Sequence, residues 1–137
     1  RTHSKWVRGE QMPLEDLQNY PCHIEELPCS KFPPPKVERV KFTGSVGDKE
    51  RGKKIALDLR WGNCIACHNL PGGLEGGNIG PSLADYAKRN MPNDYTYQRI
   101  WDNRVFNPNA FMPLYGPNKV LDDQEIRDVM AYLLSGG

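Results

Sequence analysis

The clearest pattern along the chain is a set of apolar residues at helical spacing close to its C-terminal end. Asp122 and Glu125 have the spacing of a capping box, and Gly136 suits the position after the last turn. Leu121 precedes the cap and is placed to pack on Ile126. The apolar positions repeat at i, i+3, i+4, i+7 and i+8: Ile126, Val129, Met130, Leu133 and Leu134. This pattern predicts an amphipathic helix with one buried face.

A second helix is predicted over residues 49–61. Asp48 is a suitable N-cap, and Gly62 suits the position just past the C-terminal end. Its apolar positions are Ile55, Ala56, Leu57 and Leu59. Long loops are therefore expected to join this helix to the last one.

Two shorter helices are predicted between them, over residues 81–89 and 94–106. Pro81 suits the first turn of a helix, and the second of the two stops before Pro108. The second carries the apolar residues Tyr97, Ile100, Trp101 and Val105. No stretch alternates apolar and polar residues over a convincing strand length, so a sheet protein is not expected. The predicted fold class is all-α.

The composition predicts a thin core and long loops. Apolar residues make up 38% of the 137 residues, and the chain contains 13 glycines and 12 prolines. Loops that long need something to fold around, and a cofactor would fill the core.

Charge and hydropathy exclude two classes of protein. The 18 Lys and Arg residues nearly balance the 17 Asp and Glu residues, whereas a general nucleic-acid binder is far more basic. The longest apolar run, residues 129–134, is too short to span a bilayer. The chain starts at Arg1 without an apolar targeting segment, so we expect that a signal peptide has been removed or the chain trimmed.

The chain is predicted to divide into an N-terminal arm, residues 1–46, and a helical domain, residues 47–137. The arm is rich in proline and charge, and the three prolines at 33–35 favour an extended conformation. We expect the arm to be irregular.

Residues 64–68 read Cys-Ile-Ala-Cys-His, the C-x-x-C-H pattern that attaches c-type haem. Two thiols one turn apart reach the two vinyl groups on one edge of a porphyrin, and the next imidazole reaches the iron. A thiol-redox motif would need a preceding strand and a βαβ unit, and a zinc site would need two more ligands. We therefore predict that Cys64 and Cys67 bind one haem c covalently, with His68 as an axial iron ligand.

A second axial ligand is expected downstream, and Met112 is favoured. It lies 44 residues after His68, which leaves room for a helix on the far side of the haem, and the last helix ties down its loop. Met91 is the alternative methionine, because it too precedes a proline; a histidine or an open position is a further possibility. Ligation by histidine and methionine raises the reduction potential and suits electron transfer.

The segment Gly-Pro-Ser-Leu at 80–83 is expected to contribute to the haem pocket. The Nδ1–H group of the proximal imidazole needs an acceptor, and a carbonyl at Pro81 could supply it. Leu83 would then touch the porphyrin ring. Pro81 is equally compatible with the first turn of an ordinary helix.

Cys22 and Cys29 remain in the arm. Covalent haem attachment implies an oxidising compartment in bacteria, and two spare cysteines usually pair there, so a Cys22–Cys29 disulfide is predicted. A metal site that includes His23 is the alternative, although no fourth ligand is evident.

The C-terminal part of the chain resembles the class I c-type cytochromes, and more narrowly the SoxX family. The matching segments are Gly-Asn-Cys-Ile-Ala-Cys-His at 62–68, Gly-Asn-Ile-Gly-Pro-Ser-Leu at 77–83, Ile-Trp-Asp at 100–102, Asn-Pro-Asn-Ala-Phe-Met-Pro at 107–113, Gly116, Leu121, Glu125-Ile126 and Val-Met-Ala-Tyr-Leu at 129–133. The resemblance covers about 75 residues and leaves out the arm.

The resemblance implies a class I cytochrome c fold and a partner. SoxX proteins bind one haem c through a histidine and a methionine, which map onto His68 and Met112. They form a heterodimer with SoxA, a larger cytochrome, in the periplasm. That complex joins thiosulfate oxidatively to a cysteine of the carrier SoxYZ, and electrons leave through the SoxX haem to another cytochrome c. The resemblance implies no catalytic residue in this chain.

Two other functions use the same haem motif. A free-standing periplasmic cytochrome c would shuttle electrons between membrane complexes, but it has no use for an arm of this length. A haem enzyme such as a peroxidase would need an open or labile sixth position on the iron.

Overall fold

The computed structural model describes residues 34–137, and Pro35–Gly137 form one compact unit. Cys22, Cys29 and the rest of the predicted arm before residue 34 lie outside the described residues, so the predicted disulfide stays a prediction. Three α-helices form the unit: α1, Lys49–Leu57; α2, Asn93–Trp101; and α3, Asp123–Ser135. No strand occurs between residues 34 and 137, which confirms the all-α prediction.

The C-terminal helix α3 has the predicted caps. The side chain of Asp122 accepts from the backbone N–H of Glu125, and the Glu125 side chain accepts from the backbone N–H of Asp122. Gly136 ends the helix in the left-handed conformation at φ 82°. Ile126, Val129 and the other predicted apolar positions up to Leu133 are buried.

Helix α1 begins at its predicted cap but ends at Leu57, earlier than predicted. Asp58 turns the chain, because its carboxylate accepts from the N–H of Arg60 and its carbonyl accepts from the N–H of Trp61. Leu59 was predicted to lie on the apolar face and is instead 78% exposed.

The prediction of one helix over residues 94–106 is wrong beyond Trp101. The chain becomes extended at Asp102 and then makes a short 3₁₀ turn, Asn103–Val105. The Asp102 side chain is fully buried, accepts from the N–H of Arg104 and pairs with its guanidinium at 2.6 Å. The Asp102 carboxylate therefore caps the short 3₁₀ turn that follows, and α2 does not continue past Trp101.

The helix predicted over residues 81–89 is also wrong over most of its length. Only a 3₁₀ turn, Tyr86–Arg89, forms. Backbone groups that a helix would use are engaged elsewhere: the carbonyl of Pro81 accepts from the ring of His68, and the carbonyl of Ser82 accepts from Arg89. The N–H of Leu83 donates to the carbonyl of Asn69.

Residues 35–46, assigned to the arm by the sequence pattern, make specific contacts within the compact unit. The amide of Gln98 accepts from the N–H of Val40 at 2.8 Å and donates to the carbonyl of Glu38. Arg127 of α3 lies over the ring of Phe42 at 4.4 Å. Arg104 donates to the carbonyl of Pro35. The segment 35–46 is thus held against α2 and α3.

Helices α1 and α3 cross at Gly52, where their backbones approach closely. Gly52 is buried, and a Cβ atom there would overlap the carbonyl of Asp128 and lie 2.9 Å from the nitrogen of Val129. Beside it, Arg51 pairs with the buried carboxylate of Asp128 at 2.8 Å. Because glycine has no side chain, Gly52 allows the backbones of α1 and α3 to approach this closely.

Replacing Gly52 with alanine is expected to destabilise the domain. The added methyl group must push α1 away from α3, and overpacking of this kind costs about 1–3 kcal/mol. Denaturant unfolding of the haem-loaded protein would measure the loss. Lys53→Ala, at an exposed position on the same helix, is the control; equal stability of the two variants would contradict the expectation.

Candidate functional site

A cavity of about 390 Å³ brings the predicted site residues together. Its walls come from the attachment segment (residues 62–68), the proline loop (residues 79–83) and the methionine loop (residues 107–116). Ile100 of α2, Asn103 of the 3₁₀ turn after it, and two apolar residues of α3, Val129 and Leu133, complete the lining. The predicted residues at this cavity are Cys64, Cys67, His68, Pro81, Leu83 and Met112.

The attachment segment folds so that both thiols and the imidazole reach the same cavity. A 3₁₀ turn spans Cys64–Ala66, and the N–H groups of Cys67 and His68 both donate to the carbonyl of Cys64. Asn63 precedes the turn in the left-handed conformation, at φ 49°, which asparagine tolerates better than most residues. Neither thiol is in a disulfide, so both can react with another group.

Burial keeps the thiol of Cys64 in its protonated form. Desolvation raises the pKa of Cys64 to about 11, and a hydrogen bond with Tyr115 only partly offsets this effect. Burial also raises the pKa of the Tyr115 hydroxyl, as does the neighbouring Cys64. Both groups are therefore neutral at physiological pH.

The imidazole of His68 is fixed by the proline loop. Its Nδ1–H donates to the carbonyl of Pro81 at 2.6 Å, which leaves Nε2 as the nitrogen with a free lone pair. Gly80 lies against the ring, because a Cβ atom there would be 2.7 Å from Nδ1 and 2.8 Å from Nε2. The N–H of Gly80 donates to the carbonyl of Cys67, so the loop is anchored to the attachment segment itself.

Met112 lines the cavity with its neighbours Phe111 and Pro113. The alternative, Met91, packs against the core but does not line the cavity. Met130 is fully buried in the core, as its place on the apolar face of α3 predicts. Met12 lies outside the described residues. Of the methionines at residues 34–137, Met112 alone reaches the cavity.

Tyr115 is a site residue that the sequence pattern does not identify. Its side chain is 3% exposed, lines the cavity and donates from its hydroxyl to the carbonyl of Gly62. This bond ties the methionine loop to the attachment segment across 53 residues. No local signal marks the role, because a tyrosine three residues after Met112 is equally compatible with a surface loop.

Replacing Tyr115 with phenylalanine is expected to destabilise the folded protein by about 1–3 kcal/mol, since the buried carbonyl of Gly62 loses its partner. The measurement is the free energy of unfolding of the haem-loaded protein. Tyr95→Phe is a useful comparison, because the Tyr95 hydroxyl only accepts from Arg99 near the surface. No difference between the two variants would exclude this role for Tyr115.

The residues at the cavity fit a covalently bound haem. The site offers two unpaired thiols on one turn, an imidazole with its Nδ1–H already donated, and a methionine thioether from another segment. The remaining lining is mostly apolar, as a porphyrin requires. Among residues 34–137, no group of three His, Cys, Asp or Glu residues could hold a metal ion.

Comparison with known proteins agrees with this chemistry. The family model for cytochrome c matches residues 49–137, more than half of the chain. A protein of Aquifex aeolicus described as an uncharacterized lipoprotein is 34% identical over 102 residues, which cover 64% of this chain and 50% of the relative. This chain therefore matches only half the length of that protein.

A solved structure shares the fold. The crystal structure of SoxXA from P. pantotrophus contains a chain with 24% identity and a TM-score of 0.58. The match covers 68% of this chain and 84% of that one. The family match and the fold together confirm the class I cytochrome c prediction. The chain belongs to the cytochrome c family, and its residues 49–137 form an electron-transfer domain with covalently bound haem c.

Proposed function

We propose that this chain is the haem c subunit of a SoxAX-type heterodimer in thiosulfate oxidation. It would take electrons from a haem of a larger SoxA-like subunit and pass them to a downstream cytochrome c. The observation that carries the proposal is that the segments shared with SoxX, around His68, Pro81 and Met112, line one cavity in a fold similar to a chain of SoxXA. Delivery of sulfur to a SoxYZ-type carrier would be the task of the complex.

In this proposal the chain's own residues hold the haem in a fixed arrangement. Cys64 and Cys67 form the thioether bonds, and Nε2 of His68 binds the iron while Pro81 holds Nδ1–H. Met112 supplies the second axial ligand, and Leu83 contacts the ring. The bound haem supplies a one-electron couple whose potential the histidine and methionine ligands raise.

The rest of the lining favours electron transfer over chemistry on a substrate. Among the described residues, no Lys, Arg, Asp or Glu side chain lines the cavity. Val129 and Leu133 of α3 and Ile100 of α2 exclude water without offering a proton. Catalysis on sulfur is therefore assigned to the partner subunit.

Two apolar residues of the cavity lining, Ile79 and Phe111, are the proposed docking site. The bound haem would cover part of their surface. The part that the haem leaves exposed would form an apolar rim, which suits contact with another protein. We place the SoxA-like subunit on this rim.

The proposed location is outside the cytoplasm, in the periplasm. The Aquifex aeolicus relative is described as a lipoprotein, and covalent haem attachment suits an extracytoplasmic compartment. A Cys22–Cys29 disulfide would form in the same location. Within residues 34–137, no helix has the length and apolar character needed to cross a bilayer.

Size-exclusion chromatography of the protein from its native periplasm tests the proposal. Haem staining and intact mass should show a second, larger haem protein in the same peak. Phe111→Asp is expected to weaken this association, while Leu59→Asp, at an exposed leucine outside the cavity lining, should not. A single haem protein near 16 kDa would reject the heterodimer and favour a free-standing electron shuttle.

A further inference from the structure

The thioether bonds and the axial ligands leave the two haem carboxylates without hydrogen-bond partners. Haem c carries two carboxylates on the edge opposite its former vinyl groups, and buried carboxylates need hydrogen-bond donors. The attachment segment would lie at the edge of the haem that carries the former vinyl groups. Tyr115 lies at that same end, since its hydroxyl donates to Gly62. The polar lining residues left for the carboxylates are Asn103, Asn107 and Asn109.

The two arginines beside Asn103, one bonded to it and one next to it in sequence, are already paired. The guanidinium of Arg104 is bound to Asp102 and to the carbonyl of Pro35. That of Arg99 donates to the Tyr95 hydroxyl and to Asn103. Neither arginine lines the cavity, so the donors at this edge are neutral amides.

Hydrogen bonds fix which way two of these amides face. The Oδ1 atom of Asn103 accepts from Arg99 at 2.8 Å, and the Oδ1 atom of Asn107 accepts from the N–H of Asn109 at 3.1 Å. A flipped amide would set its NH₂ group against those donors. Both NH₂ groups are therefore turned away from these bonds, and neither has an acceptor among residues 34–137.

A backbone hydrogen bond also joins the two asparagines. The backbone N–H of Asn107 donates to the carbonyl of Asn103 at 3.0 Å, so the residues lie one turn apart. Pro108 restricts the backbone of Asn107. The charged donor on Asn103 polarises its amide and strengthens the donor on its other end.

We propose that Asn103 and Asn107 donate hydrogen bonds from their NH₂ groups to the haem carboxylates, forming a neutral carboxylate-binding pair that joins the 3₁₀ turn after α2 to the start of the methionine loop. The proposal rests on the haem c that the family carries and does not depend on a SoxA-like partner. Failure of the heterodimer test would leave it standing.

Resonance Raman spectroscopy of the haem-loaded full chain tests the pair, because the bending mode of the haem carboxylates responds to the hydrogen bonds they accept. Asn103→Ala and Asn107→Ala are expected to shift this band. Asn118→Ala is the matched control, since Asn118 is exposed and does not line the cavity. An unchanged band in both cavity variants would overturn the proposal.

The midpoint potential of Asn107 variants gives a second test if the Asn103→Ala protein does not mature. Asn107 is exposed, so its substitution leaves the core intact. Asn107→Asp places a negative charge in contact with a carboxylate and should lower the midpoint potential more than Asn118→Asp does. Asn107→Gln, which keeps an NH₂ donor, should restore part of the Raman band position. Equal potentials for the two Asp variants would count against Asn107 as a donor.

Discussion

Replacing Gly80 with alanine is expected to abolish normal histidine ligation in the mature protein. The new methyl group would occupy the space of the His68 ring, with its carbon 2.7 Å from Nδ1 and 2.8 Å from Nε2. The ring must rotate or shift, and it then loses the hydrogen bond to Pro81. Loss of an orienting partner alone lowers metal affinity by about 10- to 100-fold, and displacement of the ligand adds to this.

The absorption spectrum and the haem content of purified Gly80→Ala protein measure this effect. We expect less haem-loaded protein, and added imidazole should restore a low-spin spectrum by replacing the displaced ring. Asn78→Ala changes a nearby exposed residue that does not line the cavity and is the control. A normal low-spin spectrum in Gly80→Ala without added imidazole would show that the ring tolerates the methyl group.

Replacing Met112 with alanine is expected to remove the sulfur–iron absorption and to lower the midpoint potential. Axial ligands set haem potentials over a range of roughly 0.8 V, so a fall of the order of 0.1 V or more is expected. The cavity at residues 34–137 offers no second methionine, so the vacated position would be open to water or an added ligand.

Met91→Ala is the matched control for that experiment. Met91 also precedes a proline and packs against the core, but it does not line the cavity. Its substitution should lower stability and leave the spectrum unchanged. If Met91→Ala lost the sulfur–iron band and Met112→Ala kept it, the ligand assignment would be reversed.

The features predicted from sequence are those set by neighbouring residues. The capping box of Asp122 and Glu125 acts within one turn, and the burial of Ile126 follows from helical spacing. The pattern at 64–68 is equally local, because the chemistry of thioether attachment fixes its spacing.

The features missed depend on partners far away in the chain. Residues 81–85 contain a proline suited to a helix, but the carbonyl of Pro81 is recruited by His68, 13 residues earlier. The role of Tyr115 depends on a carbonyl 53 residues away. The segment 35–46 looks like part of an irregular arm until Gln98 and Arg127 are placed beside it. Periodicity carries no information about such contacts.

The crossing of α1 and α3 has a consequence for how the chain acquires its structure. The N–H of Asp48 donates to the Asp128 side chain, a contact between residues 80 positions apart. Closing so large a loop is slow, and α1 lacks its main packing partner until α3 has been synthesised. The Cys-Ile-Ala-Cys-His segment emerges well before then. During synthesis there is thus an interval in which this segment is exposed on an unfolded chain and open to the machinery that attaches haem.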